Sequence, residues 1–374
     1  MKKKLVLCTQ LPEKRRQEIE EFCDITIAGE LKHGKGNVTE ESIREECKGY
    51  EIVVLGDENA GADTLGEWIG SGMKFIGVAK GTPVTVDNEA LKAAGIPLSY
   101  TPGRNRVAVA EFNIGLMLAV ARKLTLSATG LQKGEHLGEP MENIYDVPDV
   151  KNVIWGPLDE NHPFTDYGIG FELYGKKLGI AGYGAIGREV AVRAKAFGME
   201  ILAYDPYMPA ERIEADGARA VDLDTMLAES DMVSIHLPVI DATKGIVNRD
   251  WFSKMKPTAI LINTARGGCV VEQDLYEACK NKTIAGAGLD AIQKEPVDPA
   301  NPLLTLDNVI IYPHIGGNTM EAAHRASYFA AMGVQEVYEG KEPTWPINDI
   351  DYVTAPTYTD TKKPNKKSSG MFDF

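Results

Sequence analysis

Long apolar runs are missing from this 374-residue chain. The longest, Ile114–Ala121, stops at Arg122 and Lys123, well short of the ~20 residues that cross a bilayer. The N-terminal segment MKKKLVLCTQ is basic but offers only Leu5–Cys8 as an apolar run, and a secretory core needs about 7–15 residues. No membrane partner is expected. Cysteine is scarce. Cys8, Cys23, Cys47, Cys269 and Cys279 show no CxxC spacing and no cluster with histidine of the zinc type. A disulfide framework and a metal site are therefore not expected, and reduced thiols in a cytoplasmic protein are. Positive charge is also short: 40 Lys and Arg face 54 Asp and Glu, a net charge of −14. Nucleic-acid binding, which depends on neutralising phosphates, is not expected.

What is present is a globular composition, 44% hydrophobic and 25% charged, in a chain long enough for ~2–3 domains. Short apolar runs alternate with amphipathic stretches. Lys4–Cys8, Asp24–Ala28, Glu51–Leu55 and Lys74–Val78 read as strands, each followed by a helix-compatible segment, which predicts βαβ units and a parallel sheet. The breaker Tyr100–Gly103 closes this array. Asn105–Leu131 predicts one long helix, apolar at Val107, Val109, Phe112, Leu116 and Ala119. Residues 134–171 lose all periodicity and are rich in Gly, Pro and aromatics. An irregular segment of that length is usually functional. Its large apolar groups, among them Ile144, Tyr145, Trp155 and Phe164, are expected to reach across a homodimer interface. A second array follows, with strands at Leu178–Ala181, Glu200–Tyr204, Met232–His236, Ala259–Asn263, Ile284–Leu289 and Val309–Tyr312. Helices are expected at Ile186–Phe197, Glu272–Asn281 and Asn318–Tyr338, before a tail over 344–374.

The second array opens on Leu178–Gly187, an apolar strand running into G-x-G-x-x-G and then a helix-forming run. Gly182 permits the tight turn, Gly184 lets the backbone approach a pyrophosphate, and Gly187 lets helix pack close to strand. The next strand ends at Asp205, 18 residues after Gly187. An acid there bonds ribose hydroxyls and repels a 2′-phosphate, so NAD is favoured over NADP. Three charged residues lie just past later strands: Arg266 in Asn263–Gly268, Glu295 in Ala291–Pro296, and His314 in Pro313–Gly317. In open parallel sheets the ligand crevice lies outside the carboxyl ends of the strands, where these three converge.

With Pro102–Asn105, Val109–Phe112, the glycine loop with Asp205, Ser234–Pro238, the Arg266 segment, Asp290 with Glu295–Pro296, and Pro313–Gly317 all in order, the chain resembles the D-isomer-specific 2-hydroxyacid dehydrogenase family from about Glu51 to Ser327. That resemblance implies an α/β protein of two Rossmann-like or flavodoxin-like lobes with parallel sheets and a cleft between them. Residues 1–103, completed by 318–343, would form the substrate domain, and 104–317 the NAD-binding domain. The expected activity is NAD-dependent hydride transfer to or from a small D-2-hydroxy or 2-oxo acid of phosphoglycerate or hydroxypyruvate/glyoxylate type, with or without a phosphate. The alternative is a non-catalytic NAD(H)-sensing protein of the co-repressor type. His314 is then the general acid and base, Glu295 its orienting carboxylate, and Arg266 the substrate anchor. Asp290 is expected to bond the nicotinamide carboxamide, and Leu237 and Thr264 to line its side of the pocket. Gly182, Gly184, Ala185, Ile186, Gly187, Asp205, Ala265, Gly316 and Gly317 complete the cofactor set. Lys80, Gly81 and Thr82 match the loop that holds the substrate carboxylate, with Asn105 beside it. His236 is expected to line the cofactor region. Tyr312 and Asn318 replace smaller residues beside the histidine and are expected to change the pocket shape. The family's nucleotide lobes pair into dimers, which implies the same here.

Overall fold

The computed structural model describes residues 2–11, 13–34, 36–81, 85–137 and 167–339. The chain divides into two compact units, one running to Ala108 and resuming at Gly317, the other spanning Val109–Gly316.

The first unit holds β1 (Lys3–Leu7), α1 (Glu13–Glu20), β2 (Cys23–Ile27), α2 (Gly29–His33), α3 (Glu40–Glu46), β3 (Ile52–Leu55), α4 (Ala62–Gly70), β4 (Phe75–Val78), α5 (Asn88–Ala93) and β5 (Leu98–Ser99). All strand pairs are parallel, in the order β2-β1-β3-β4-β5. Strands β3 and β4 read IVVL and FIGV and are buried at every position, as strands covered on both faces must be. One face packs Val6, Val53, Leu55 and Ile76 around Trp68. The other packs Leu5, Leu7, Val54 and Phe75.

Helix α6 (Arg106–Ala121) carries the chain into the second unit and is followed by α7 (Leu124–Gln132). The single helix expected over Asn105–Leu131 is thus two. Lys123 adopts a left-handed conformation, φ 57°. The Ala121 carbonyl, which a continuing helix would use, instead accepts from Phe171 N at 3.1 Å. The returning chain needs Gly170 there, since a Cβ at that position would lie 2.6 Å from the same oxygen. Side-chain periodicity continues through such a break, so the apolar pattern does not register it.

The second unit continues with β6 (Lys177–Ala181), α8 (Ala185–Ala196), β7 (Glu200–Tyr204), α9 (Ala210–Ala215), β8 (Arg219–Ala220), α10 (Leu223–Glu229), β9 (Met232–Ile235), α11 (Arg249–Lys254), β10 (Ile260–Asn263), α12 (Glu272–Lys280), β11 (Gly286–Leu289) and β12 (Val309–Ile311). Its seven strands are parallel in the order β12-β11-β10-β9-β6-β7-β8. The order reverses between β6 and β9, which opens a crevice at the carboxyl ends of those two strands. The two-residue strands β5 and β8 were not expected, being too short to carry a period; other boundaries differ from expectation by one or two residues.

The chain ends its described part in α13 (Met320–Tyr338). This helix belongs to the first unit, where Ala326, Ala330 and Val334 pack on Leu5, Leu7 and Phe75.

Candidate active site

The glycine loop follows β6 directly. Gly182 has φ 92°, and a Cβ there would fall 2.7 Å from the His236 carbonyl oxygen. A Cβ at Gly187 would fall 2.3 Å from the Gly182 carbonyl oxygen. Gly184 is different. It caps α8 with no side-chain partner, and the space a Cβ would occupy is open. The first-turn N–H groups at Ala185 and Ile186 therefore meet that opening with the partial positive charge of the helix end. Asp205, one residue past β7, accepts from Tyr183 N at 2.8 Å and Tyr207 N at 2.9 Å. Its half-buried carboxylate is thereby fixed at the sheet edge and keeps lone pairs for further donors. An open, uncapped helix start beside a held carboxylate fits the pyrophosphate and ribose of a dinucleotide.

Beyond β12, His314 sits at φ 56°, a left-handed conformation in a residue with a side chain. Asp290, one residue past β11 and only 3% exposed, holds that turn. Its two oxygens accept from Ile315 N and Gly316 N, each at 2.9 Å. Gly316 packs so tightly that a Cβ would lie 2.8 Å from the Asp290 carboxylate. Glu295 approaches His314 from the side, with Oε2 2.7 Å from Nδ1, while its Oε1 accepts from Ile292 N at 3.2 Å. A carboxylate on Nδ1 requires that nitrogen to donate, which leaves Nε2 as the atom that gives or takes a proton. His314 is 41% exposed in its side chain, and Nε2 meets no partner among the described residues.

Arg266, just past β10, is exposed, with one Nη bonded to the Ala265 carbonyl at 2.7 Å and no further hydrogen-bond partner for its fork among the described residues. Its turn is built by Asn263. The Asn263 amide accepts from Ala265 N at 3.0 Å and donates to the Arg266 and Ala291 carbonyls at 3.0 and 3.3 Å. Gly267 then presses against the loop that carries Glu295, so closely that a Cβ would overlap the Ile292 carbonyl carbon. Glu272, the first residue of α12, accepts from Gln293 N and from Asn301 Nδ2, and Gln293 Nε2 donates to the Val270 carbonyl at 2.7 Å. The arginine turn and the glutamate loop are thus clamped together. Sequence reasoning missed both Asn263 and Glu272. The signal for Asn263 was its amide at the end of an otherwise apolar strand.

Asn113 on α6 was missed as well. Its Nδ2 donates to Ser234 Oγ and Thr264 Oγ1, both at 2.9 Å, and Ser234 Oγ also meets His236 Nε2 at 2.9 Å. His236 Nδ1 is buried without a partner among the described residues, and burial pulls the imidazole down to about 3, so the ring is neutral. Leu237 follows, its side chain 3.2 Å from the place of a Cβ on Gly182. Tyr312, expected to alter the pocket beside the histidine, packs inward. Its ring stands edge-on to Phe112 at 5.3 Å and its hydroxyl meets Thr125 Oγ1 at 3.2 Å, so the core of the unit takes up its bulk.

In the first unit, Lys80 and Gly81 follow β4. Lys80 Nζ lies 3.2 Å from Asp57 Oδ1, and its carbonyl accepts from Thr101 N at 2.8 Å. Asn105 lies in the turn before α6, where Gly317 approaches its amide so closely that a Cβ would fall 2.6 Å from Nδ2. Asn318 is exposed. Thr82 and the loop residues 138–166 lie outside the described residues. No group of three or more His, Cys, Asp or Glu among the described residues is placed to hold a metal, and no described helix is long and apolar enough to cross a membrane.

A sequence model described as the NAD binding domain of D-isomer-specific 2-hydroxyacid dehydrogenases matches residues 164–316. A hydroxypyruvate reductase from Thermotoga maritima is 38% identical over 258 residues, covering 68% of this chain and 74% of that protein. The chain belongs to the D-isomer-specific 2-hydroxyacid dehydrogenase family. A glyoxylate reductase from Thermococcus litoralis is 33% identical over 95% of the chain and 100% of its own length. D-3-phosphoglycerate dehydrogenases of Archaeoglobus fulgidus and Methanocaldococcus jannaschii are 38% and 34% identical, and the chain spans 52% and 58% of their lengths, little more than half. Among solved structures, a glyoxylate reductase from Paecilomyes thermophila superposes with TM-score 0.72 at 25% identity, over 92% of this chain and 98% of that one. Within this family the glycine loop, Asp205, Arg266, Glu295 and His314 all fall in the matched NAD binding domain.

Proposed function

We propose that the chain is an NAD-dependent oxidoreductase acting on a small D-2-hydroxy or 2-oxo acid of phosphoglycerate or hydroxypyruvate/glyoxylate type. The observation that carries this reading is the 2.7 Å contact of Glu295 with His314 Nδ1, which leaves Nε2 as the atom that exchanges a proton. NAD, when bound, supplies the hydride chemistry. His314 Nε2 protonates the carbonyl oxygen in reduction and takes the hydroxyl proton in oxidation. Glu295 keeps the ring in that tautomer. Arg266 takes the carboxylate or carbonyl oxygen of the acid through its planar fork. Gly182, Gly184, Ala185, Ile186 and Gly187 hold the pyrophosphate and Asp205 the ribose. Leu237, Thr264, Ala265, Asp290, Gly316 and Gly317 are assigned to the nicotinamide end. In the first unit, taken as the substrate domain (1–103 with 318–343), Lys80, Gly81, Thr82 and Asn105 are assigned to the acid. Residues 104–317 are taken as the NAD-binding domain.

The names of the relatives, hydroxypyruvate reductase, glyoxylate reductase and phosphoglycerate dehydrogenase, support a catalyst over an NAD-sensing protein, which is not favoured. Five buried free thiols suit a reducing, cytoplasmic setting. Pairing with a second copy through the second unit is supported by Leu124, Leu131, Ile169 and Val192, all more than half exposed. Light scattering should then give about twice the 40.7 kDa chain mass. The reaction is tested by NADH oxidation with a panel of 2-oxo acids. His314→Ala should lose about 10²–10⁴ in turnover while NADH fluorescence still reports binding. Near-normal turnover in that variant would mean another group moves the proton.

A further inference from the structure

We propose that Asn113 acts as a positioning residue: through Ser234 it fixes His236 as the neutral tautomer with its proton on Nδ1, and that N–H donates to an acceptor oxygen of the bound dinucleotide. This rests on the dehydrogenase reading above and adds a contact to its cofactor site. Asn113, Ser234, His236 and Thr264 all belong to the second unit. Asn113 and Ser234 are fully buried and Thr264 nearly so. His236 follows β9 directly, and its backbone N–H donates to the Ala181 carbonyl at 2.8 Å. It therefore stands at the crevice where the strand order reverses, the place where open parallel sheets bind their ligands.

The tautomer follows from where the hydrogens can go. Asn113 Nδ2 lies 2.9 Å from both Ser234 Oγ and Thr264 Oγ1. An amide NH2 only donates, and it has two hydrogens, so both hydroxyl oxygens accept. The reverse orientation of the amide would leave two buried donors unpaired, where now the single acceptor Oδ1 has no partner among the described residues. Ser234 must then place its own hydrogen elsewhere. Among the described residues its oxygen meets one other group, His236 Nε2, at 2.9 Å. Nε2 therefore accepts. Burial keeps the ring neutral, so its one proton sits on Nδ1. That nitrogen is buried with no partner among the described residues. An unpaired buried N–H is costly, and it calls for an acceptor that arrives from outside. A dinucleotide in this crevice brings phosphoryl, ribose and carboxamide oxygens, all of which accept.

The test uses the full chain labelled with 15N-histidine, the His236 ring signals being those that vanish in His236→Asn. Near neutral pH and without cofactor, Nδ1 should show the shift of a protonated ring nitrogen and Nε2 that of an unprotonated one. Ser234→Ala and Asn113→Leu should each draw the two shifts together, because the group that holds Nε2 as an acceptor is gone or released. NADH should move the Nδ1 proton downfield and slow its exchange with water. NADH affinity, read by fluorescence, should fall about 3- to 10-fold in both variants. A second pair separates the two ring nitrogens. His236→Asn can place an amide N–H where Nδ1 stood and should stay close to the parent's affinity. His236→Gln replaces Nε2 instead and should lose as much as Ser234→Ala. A proton found on Nε2 overturns the proposal, as does a tautomer that Ser234→Ala and Asn113→Leu leave unchanged. So does an Nδ1 proton that NADH does not move, or equal affinity in His236→Asn and His236→Gln. In those cases the dehydrogenase reading stands on its turnover of 2-oxo acids. A chain that binds no NADH overturns both.

Discussion

Asp290→Asn changes one atom's chemistry and nothing of the side chain's shape. In the parent, two carboxylate oxygens take the N–H groups of Ile315 and Gly316 at 2.9 Å each, with the side chain only 3% exposed. Those bonds hold the preceding residue, His314, at φ 56°, a conformation that costs an L-residue about 1–2 kcal/mol. An asparagine keeps one acceptor oxygen but turns an NH2 toward the other N–H, so one bond is lost and two donors face each other. A hydrogen bond to a charged group contributes ~1.5–3 kcal/mol and an unsatisfied buried donor costs ~1–3 kcal/mol. The turn should therefore lose about 3 kcal/mol of local stability. Amide hydrogen exchange reads this directly. Protection at Ile315 and Gly316 should fall by roughly 150-fold, while amides in β6 and β7 stay protected. Turnover should fall with it, because His314 leaves the position from which Glu295 orients it. Unchanged exchange at both amides, with near-parent turnover, would show that the turn is held by something other than this carboxylate.

Other consequences follow from the same geometry. His236 is held neutral, its imidazole pulled by burial from the ordinary 6.5 down to about 3. Below pH 6.5 the unfolded chain takes up a proton that the folded one refuses, so stability is lost as pH falls toward 3, at up to ~1.4 kcal/mol per pH unit and ~2 kcal/mol by pH 5. His236→Asn should flatten that acid slope in melting temperature, and parallel slopes would contradict it. Gly187→Ala puts a Cβ 2.3 Å from the Gly182 carbonyl oxygen and should cost about 1–3 kcal/mol of stability. Gly184→Ala meets no neighbour in the fold, so it should melt like the parent while NADH binding weakens; a melting temperature lowered as far as that of Gly187→Ala would refute the distinction. Asp205→Ala should relax a preference for NADH over NADPH, since a 2′-phosphate beside a carboxylate is repelled. Equal kcat/KM for the two cofactors in the parent chain would remove the basis for that expectation.

The parts of this molecule legible in its sequence are those whose cause is local. Apolar runs such as IVVL at Ile52–Leu55 and ILIN at Ile260–Asn263 had to be strands buried on both faces. The spacing of Gly182, Gly184 and Gly187 reports three steric demands within one turn. What stayed hidden depends on segments far apart in the chain. The break at Lys123 is set by Gly170 and Phe171 reaching back to the Ala121 carbonyl. Asn113 shows nothing in its own neighbourhood of the helix to indicate that Ser234 and Thr264 wait for its amide. Glu272 reads as an ordinary acidic first turn, and only the folded chain brings Gln293 and Asn301 to it. Tyr312 is another case: its neighbours in sequence are Pro313 and His314, but its ring and hydroxyl meet Phe112 and Thr125.

The pairing register explains why residues so widely spaced come out along one edge of the sheet. Tyr204 pairs with Ala181, Ala181 with Ile235, Ile235 with Asn263, Asn263 with Leu289, and Leu289 with Ile311. Every parallel strand from β7 to β12 is therefore cut off at the same level. The next residue of each falls in a single row above the sheet edge: Asp205, Gly182, His236, Thr264, Asp290 and Tyr312. Two of these, Asp205 and Asp290, spend both carboxylate oxygens on backbone N–H groups of the loops above them, and one level down Asn263 accepts from Ala265 N and donates to the Arg266 carbonyl with its amide. A polar side chain at the end of an apolar strand thus fixes where the following loop begins. It is those fixed beginnings that bring the Arg266 fork, the Glu295 carboxylate and the His314 ring out at defined places. A one-residue slip at any strand would move its polar terminus into the core and its loop off the row, so strand register and site geometry are a single constraint on this sequence.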